Sequence, residues 1–268
     1  MIIFGICTFN RKEILEKSAR SLYEVKGIES VTIRVYDDCS TEYDLEYLRK
    51  IFPTADKIVR SRKNGGADIN TSIMYEDFLG SDADWLFNAD SDLIYRTDIV
   101  ECINKTLNKC NGFMTVFNCI NHKTIGEKGD FLLKDSVGAA GCLLNREVVR
   151  LILSNIKYRK TGFDVGFSKL LRKKDYDLLS VKESLVQHIG VSGFNSRNIN
   201  FDYGEAFICD SAINAEIIED TFEKYVKSVQ NYRSTNSWKI HNFVVSLPRR
   251  IKKYTRIAIE MIVDRDEK

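Results

Sequence analysis

Residues 2–90 alternate between short apolar runs and segments of helical period, and that alternation constrains the fold more than any other feature. Ile2 to Cys7, Val31 to Tyr36, Lys57 to Arg60 and the run beginning at Trp85 read as strands. Between them, Ile14, Leu15, Ala19, Leu22 and Tyr23 share one helical face. Leu45, Leu48 and Ile51 do the same ahead of Pro53, as do Ile69, Ile73, Met74 and Phe78. Asn10 stands where a cap for the first helix is expected. Strands separated by helices pair in parallel, and near-continuously apolar strands are buried on both faces. The predicted class is α/β: a Rossmann-like, mostly parallel central sheet with helices on both sides.

Each of these four strands runs into a polar cluster: Thr8 to Arg11, Asp37 to Thr41, Lys63 to Gly66, and Asp90-Ser91-Asp92. In open α/β sheets ligands bind beyond the carboxyl ends of the strands, so the four clusters are predicted to meet in one crevice. Trp85-Leu86-Phe87-Asn88-Ala89-Asp90-Ser91-Asp92 is the most telling, because a buried strand would deliver two carboxylates one residue apart. Such a pair repels itself and calls for a cation or a shared proton. Hard oxygen donors suit Mg2+ or Mn2+, the ions that carry substrate phosphates. The plain alternative is a solvated turn rich in Asp and Ser.

Beyond residue 97 the pattern changes. Ile99, Ile103 and Leu107 predict a helix, Phe113 to Cys119 a strand, Asn121 to Asp130 a polar loop and Phe131 to Leu133 a short strand. Gly138-Ala139-Ala140-Gly141 permits close approach of backbone to a ligand, or equally tight strand packing. A helix is expected from Arg146 to Leu153, and another opening at Thr161-Gly162-Phe163-Asp164, where Asp164 would at least cap it. Val181 to His188 reads as a last strand, and a lone histidine there is often structural. The expected organisation is a ligand-binding half over 1–97, a second half of the same domain over 98–210, and a helical, basic amphipathic extension over 211–268.

A net charge of +2 excludes a wholesale nucleic-acid binder. Seven cysteines without a Cys-x-x-Cys pair point to a reducing compartment. The apolar start lacks a basic leader and reads as a strand, not a signal peptide, and no apolar run is long enough to span a membrane. From Lys224 to Ile259 there is no acidic residue, while Lys239, Arg249, Arg250, Lys252, Lys253 and Arg256 interleave with Trp238, Phe243, Leu247 and Tyr254. Such a segment suits an anionic membrane surface; the alternative is an ordinary solvated helix face.

Taken in order, these motifs resemble family 2 glycosyltransferases of the GT-A fold. Ile6-Cys7-Thr8-Phe9-Asn10-Arg11 resembles their first strand and loop, and Val35-Tyr36-Asp37-Asp38-Cys39-Ser40-Thr41 their second, with Cys39 where Gly or Asn is usual. Asp90-Ser91-Asp92 matches the DXD motif, Gly138 to Gly141 the acceptor-side glycine-rich loop, and Gly162-Phe163-Asp164 the motif of the catalytic base. That motif usually has two acidic residues, whereas here Phe163 precedes Asp164. Lys63-Asn64-Gly65-Gly66 keeps the family's asparagine–glycine segment only approximately.

The resemblance implies a nucleotide-sugar donor, most often a UDP-sugar, bound by Thr8, Asn10, Arg11, Asn64, Gly65 and Ser91, with Asp37 or Asp38 accepting from the base. It implies Asp92 as direct ligand of Mn2+ or Mg2+, with Asp90 reaching the ion through water or holding the ribose. His188 is implied as a further ligand or a diphosphate donor, and Asp164 as the base of an inverting transfer. The acceptor would be a glycan or lipid-linked glycan in surface-polysaccharide assembly, on the cytoplasmic face of the inner membrane. A nucleotidyltransferase would carry a glycine-rich first loop with Arg and Lys, and Cys7 to Arg11 lacks those glycines. A non-catalytic binding module would have no need of Asp90, Asp92, Asp164 and His188 together.

Overall fold

Two parallel neighbours enclose β1 (Ile2–Thr8): β2 (Thr32–Asp37) and β4 (Trp85–Asp90). β3 (Ala55–Arg60) adds in parallel outside β2. The computed structural model describes residues 1–156, 163–190 and 202–234 of the 268-residue chain. The remaining strands are β5 (Leu93–Tyr95), β6 (Phe113–Thr115), β7 (Thr124–Lys128), β8 (Phe131–Lys134), β9 (Cys142–Asn145), β10 (Leu179–Val181) and β11 (Val186–His188). The large sheet runs β3-β2-β1-β4-β9-β6-β10-β8-β7. Its β3-to-β4 part is parallel, and β9 enters antiparallel to both β4 and β6. β5 and β11 form a separate antiparallel pair.

Alternation along the strands divides the core. Phe4 and Ile6 face one apolar cluster with Val35, Phe87 and Ala89, while Ile3, Tyr36 and Leu86 face another. α1 (Lys12–Leu22), α2 (Leu45–Ile51) and α4 (Ile99–Thr106) cover the first face through Leu15, Leu48 and Ile103. α3 (Ala67–Leu79), α5 (Arg146–Asn155) and α6 (Phe163–Lys173) cover the second through Met74, Val149 and Phe167. The mostly parallel α/β sheet with helices on both sides is therefore the observed fold. α7 (Ala212–Ser234) supplies the described part of the helical extension.

The second half departs from the sequence reading in three places. The strand expected through Cys119 stops at Thr115, where the Phe117 N–H turns back to the Thr115 hydroxyl. The polar loop expected over Asn121 to Asp130 contains β7, a solvent-facing edge strand whose charges carry no apolar alternation. The strand expected from Val181 to His188 is broken, β10 joining the large sheet and β11 the small one. Asn10 does not cap α1. Asn10 and Arg11 both adopt left-handed backbone, and the Asn10 side chain instead accepts the N–H groups of Thr41 and Glu42 at 2.7 and 3.2 Å.

The chain divides into two compact units, Met1–Gly190 with Asp202–Glu219, and Val191–Phe201 with Asp220–Lys268. In the second, the described helical residues carry Lys224–Asp220 and Lys227–Glu223 pairs one turn apart. The basic tail expected to touch a membrane lies outside the described residues, as do Thr161 and Gly162. In the first unit, the root of α7 is fixed by a buried network. Ser21 Oγ donates to Asn214 Oδ1 at 2.7 Å, Asn214 Nδ2 donates to the Tyr95 carbonyl at 2.7 Å, and the Tyr95 N–H donates to Ser21 Oγ at 2.9 Å. Asn214→Ala strips partners from two buried groups and is expected to cost about 2 kcal/mol. Urea unfolding measures it, and a loss under about 0.5 kcal/mol would mean that the network contributes little.

Candidate active site

The loop after β1 and the end of β4 meet at Asp92. Its Oδ2 accepts from Arg11 Nη1 at 2.7 Å and lies 3.1 Å from His188 Nε2. Arg11 Nη2 also donates to Ser91 Oγ at 3.3 Å. Arg11 reaches inward because two consecutive non-glycine residues hold left-handed backbone, a costly arrangement that concentrates at functional sites. His188 arrives through β11, where it pairs opposite Leu93 of β5, and the Ile189 N–H closes onto the Asp92 carbonyl at 2.8 Å. Gly190 completes the packing: a Cβ there would collide with Asp92 Oδ2 and come within 2.8 Å of His188 Cε1.

Burial raises the cost of every charge here, and the partners decide which charges survive. Burial acts against ionised Asp92, but His188 and then Arg11 outweigh it and hold the carboxyl well below the usual range. Burial, then the charge of Asp92, pushes Asp90 up to about 7. Burial works against a charged His188, yet Asp92 and then Asp90 raise it to about 9. The cluster is thus a carboxylate between two cations, with a second carboxyl beside it that holds its proton more readily.

The other expected donor residues line the same sheet edge. Thr8 Oγ1 bonds the Tyr43 hydroxyl. Asp37 accepts from Ser40 and lies 3.3 Å from Arg60 Nη1, whereas Asp38 takes the N–H groups of Gly65 and Gly66 at 2.8 and 2.7 Å. Gly66, at φ +90, provides the left-handed turn that aims both N–H groups at one carboxylate. Asn64 Nδ2 reaches the Asp38 carbonyl at 3.5 Å. Both aspartates thus hold the loops at the strand ends; the Asp37 oxygens are taken up by Ser40 and Arg60, whereas each Asp38 oxygen accepts one N–H and retains a further lone pair.

On the second face of the sheet, Asp164 sits half-buried in the first turn of α6, its Oδ1 accepting the Val165 N–H at 2.8 Å. Its charge acts on Asp90 and on Asp68, so the structure brings it to the end of the sheet where β4 delivers Asp90. The glycine-rich stretch passes alongside: Asn88 Nδ2 donates to the Ala139 carbonyl at 2.8 Å, and the Gly141 N–H to the Asn88 carbonyl at 2.9 Å. Sequence reasoning missed the contributions of Asn88, Tyr43 and Asp68. Only Asn88 had a signal, an amide two residues before Asp90 and hence on the same strand face.

Asp92 Oδ1 and His188 Nδ1 are buried with no hydrogen-bond partner. Among the described residues no group of three His, Cys, Asp or Glu side chains gathers closely enough to hold a metal alone. An uncommitted carboxylate oxygen without a closed protein cage fits Mg2+ or Mn2+, ions that take much of their shell from phosphate and water. Without a metal, the raised pKa of His188 makes its contribution to stability complete below its ordinary value of 6.5 and lost as pH climbs through about 9. In metal-free urea unfolding, wild type is therefore expected to lose on the order of 3 kcal/mol of its advantage over His188→Gln between those limits. A pH-independent gap would mean that the imidazole is neutral in the fold.

The model of the Glycosyl transferase family 2 family matches residues 4–179. Among solved structures, TarS residues 1–349 from S. aureus superposes with TM-score 0.52 at 12% identity, covering 93% of this chain and 82% of that one. The same TarS fragment in complex with UDP-GlcNAc gives 0.53 at 10% identity, covering 93% and 76%. Its UDP complex gives 0.51 at 11% identity, again covering 93% and 76%. At such identities the likeness is one of fold. Among curated proteins, none matches the chain.

Proposed function

The chain belongs to glycosyl transferase family 2, and on that premise we propose that it moves a sugar from a nucleotide-sugar to a hydroxyl of a glycan or lipid-linked glycan, with inversion. The observation that carries this reading is Asp92 held between Arg11 and His188, with Asp164 at the same end of the sheet. A UDP-sugar is the favoured donor, supported by the UDP and UDP-GlcNAc complexes of the similarly folded TarS.

Thr8, Asn10, Arg11, Asn64, Gly65 and Ser91 line the donor side, and Asp37 or Asp38 accepts from the nucleobase. Asp92, with Asp90 and His188 in support, would hold Mn2+ or Mg2+. The ion, when bound, offsets charge on the diphosphate. Arg11 places a fixed cation beside the leaving group, in a buried site where charge is weakly screened. Asp164 takes the proton of the acceptor hydroxyl as its oxygen bonds to the anomeric carbon. The bond from that carbon to the diphosphate oxygen breaks, and the nucleoside diphosphate leaves with the electron pair. A positioned base of this kind contributes on the order of a hundredfold or more.

The acceptor fits assembly of a surface polysaccharide at the cytoplasmic face of a membrane. The basic, aromatic segment from Trp238 to Arg256 supports contact with anionic lipid. No helix among the described residues is long and apolar enough to cross a membrane.

Thermal-shift screening with UDP-, GDP- and dTDP-sugars, with and without manganese, identifies the donor as the ligand that raises the melting temperature. With that donor, Asp92→Ala is expected to abolish transfer in a folded protein. Asp164→Asn is expected to bind the nucleoside diphosphate as wild type does while transfer falls about a hundredfold or more. Normal turnover in the first variant removes the metal role, and in the second the base.

A further inference from the structure

α3 opens with a carboxylate to which the proposed reaction gives no task. Asp68 is only 8% exposed, and its Oδ2 has no hydrogen-bond partner. The same carboxylate accepts the backbone N–H of Phe163, the first residue of α6. Burial, then the charge of Asp164, pushes its pKa upward. A stability-driven design would place an asparagine here, which accepts the same N–H without desolvating a charge beside a like charge. A buried acid retained at such a cost marks a functional position.

The geometry gives that position a purpose. Phe163 is gripped twice by α3: its N–H by Asp68, and its ring by Tyr75 at a centroid distance of 5.9 Å. Phe167, one turn on, packs against Phe163 at 5.9 Å. The start of α3 is in turn fixed, since Asp38 holds Gly65 and Gly66 just ahead of it. One rigid path thus runs from the loop after β2, through α3, to the residue immediately before Asp164.

We propose that Asp68 is a positioning residue for Asp164. It anchors the first turn of α6, the turn that carries the group receiving the acceptor's proton. The proposal rests on the reading of Asp164 as that group. The titratable groups acting with Asp164 are Asp68 from α3, Asp90 from β4, Cys142 from β9 and His122 from the loop after β6. Asp68 differs from the others in also binding the backbone of α6.

The test uses the full chain and release of UDP from UDP-GlcNAc, or from whichever donor the thermal screen selects, with kcat and KM measured separately. Asp68→Ala is expected to lower kcat about tenfold or more, with KM for the donor within about twofold, because an ångström of displacement in a base costs up to about a hundredfold. Asp68→Asn keeps an acceptor for the Phe163 N–H and is expected to retain most of kcat. A purely structural Asp68 would lower the melting temperature and leave kcat per folded molecule unchanged in Asp68→Ala. Wild-type kcat in Asp68→Ala, or a kcat in Asp68→Asn no higher than in Asp68→Ala, overturns the proposal. Asp164→Asn run alongside separates the two readings. Full activity there overturns the base and the proposal together, whereas an inactive Asp164→Asn beside a fully active Asp68→Ala overturns the proposal alone.

Discussion

Everything at the mouth of the sheet depends on how the Asp92 carboxylate is kept ionised out of water. A buried carboxylate without partners would take up a proton, as Asp90 tends to do. Asp92 does not, because Arg11 and His188, far apart in sequence, converge on one of its oxygens. To bring them there the chain bends Asn10 and Arg11 into left-handed backbone, breaks the final strand so that β11 can pair with β5, and leaves position 190 without a side chain. Each is a local cost that the ion cluster and the surrounding apolar packing outweigh. The other oxygen of Asp92 is left over, and that remainder makes the site suited to a cation.

The site also depends on two kinds of contact, polar between the loops and apolar between the helices. The loops after β1, β2 and β3 hold one another through side chains that close on backbone: Asn10 on Thr41 and Glu42, Asp38 on Gly65 and Gly66, Arg60 on the carbonyls of Ser40 and Tyr43. Such contacts fix loop geometry without using apolar surface, so the crevice stays polar while remaining ordered. Between the helices, α6 is held by aromatic packing against α3 and by one buried carboxylate.

How much of this was legible in the sequence follows from the range of the interactions. The parallel half was readable because its strands are six or seven residues long, bounded by amphipathic helices, and end in recognisable polar clusters. The second half was not, since β6, β10 and β11 are three residues each and pair with partners far away in the chain. Three residues are too few to display a period of two, and β7 has no apolar face to display. Asp90, Asp92, Asp164 and His188 stood out as a constellation of chemistry-bearing residues. Asp68 did not, because a carboxylate near a helix start reads as an ordinary response to the dipole. Its burial and its hold on Phe163 arise from tertiary packing alone.

The buried contacts of Ser21 and Asn214 bear on when the protein becomes competent during synthesis. Residues 21 and 214 are separated by most of the folded chain, and between them sit β5 and, through β5, the strand that brings His188 to Asp92. Domains generally begin folding from the end that leaves the ribosome first, and distant contacts close late. The strands β1 to β4 can pair early, since their partners come from the first 90 residues. The ion cluster must wait for residue 188, and its brace for residue 214. A nascent chain would therefore hold paired strands around an unfinished centre until residue 214 has emerged.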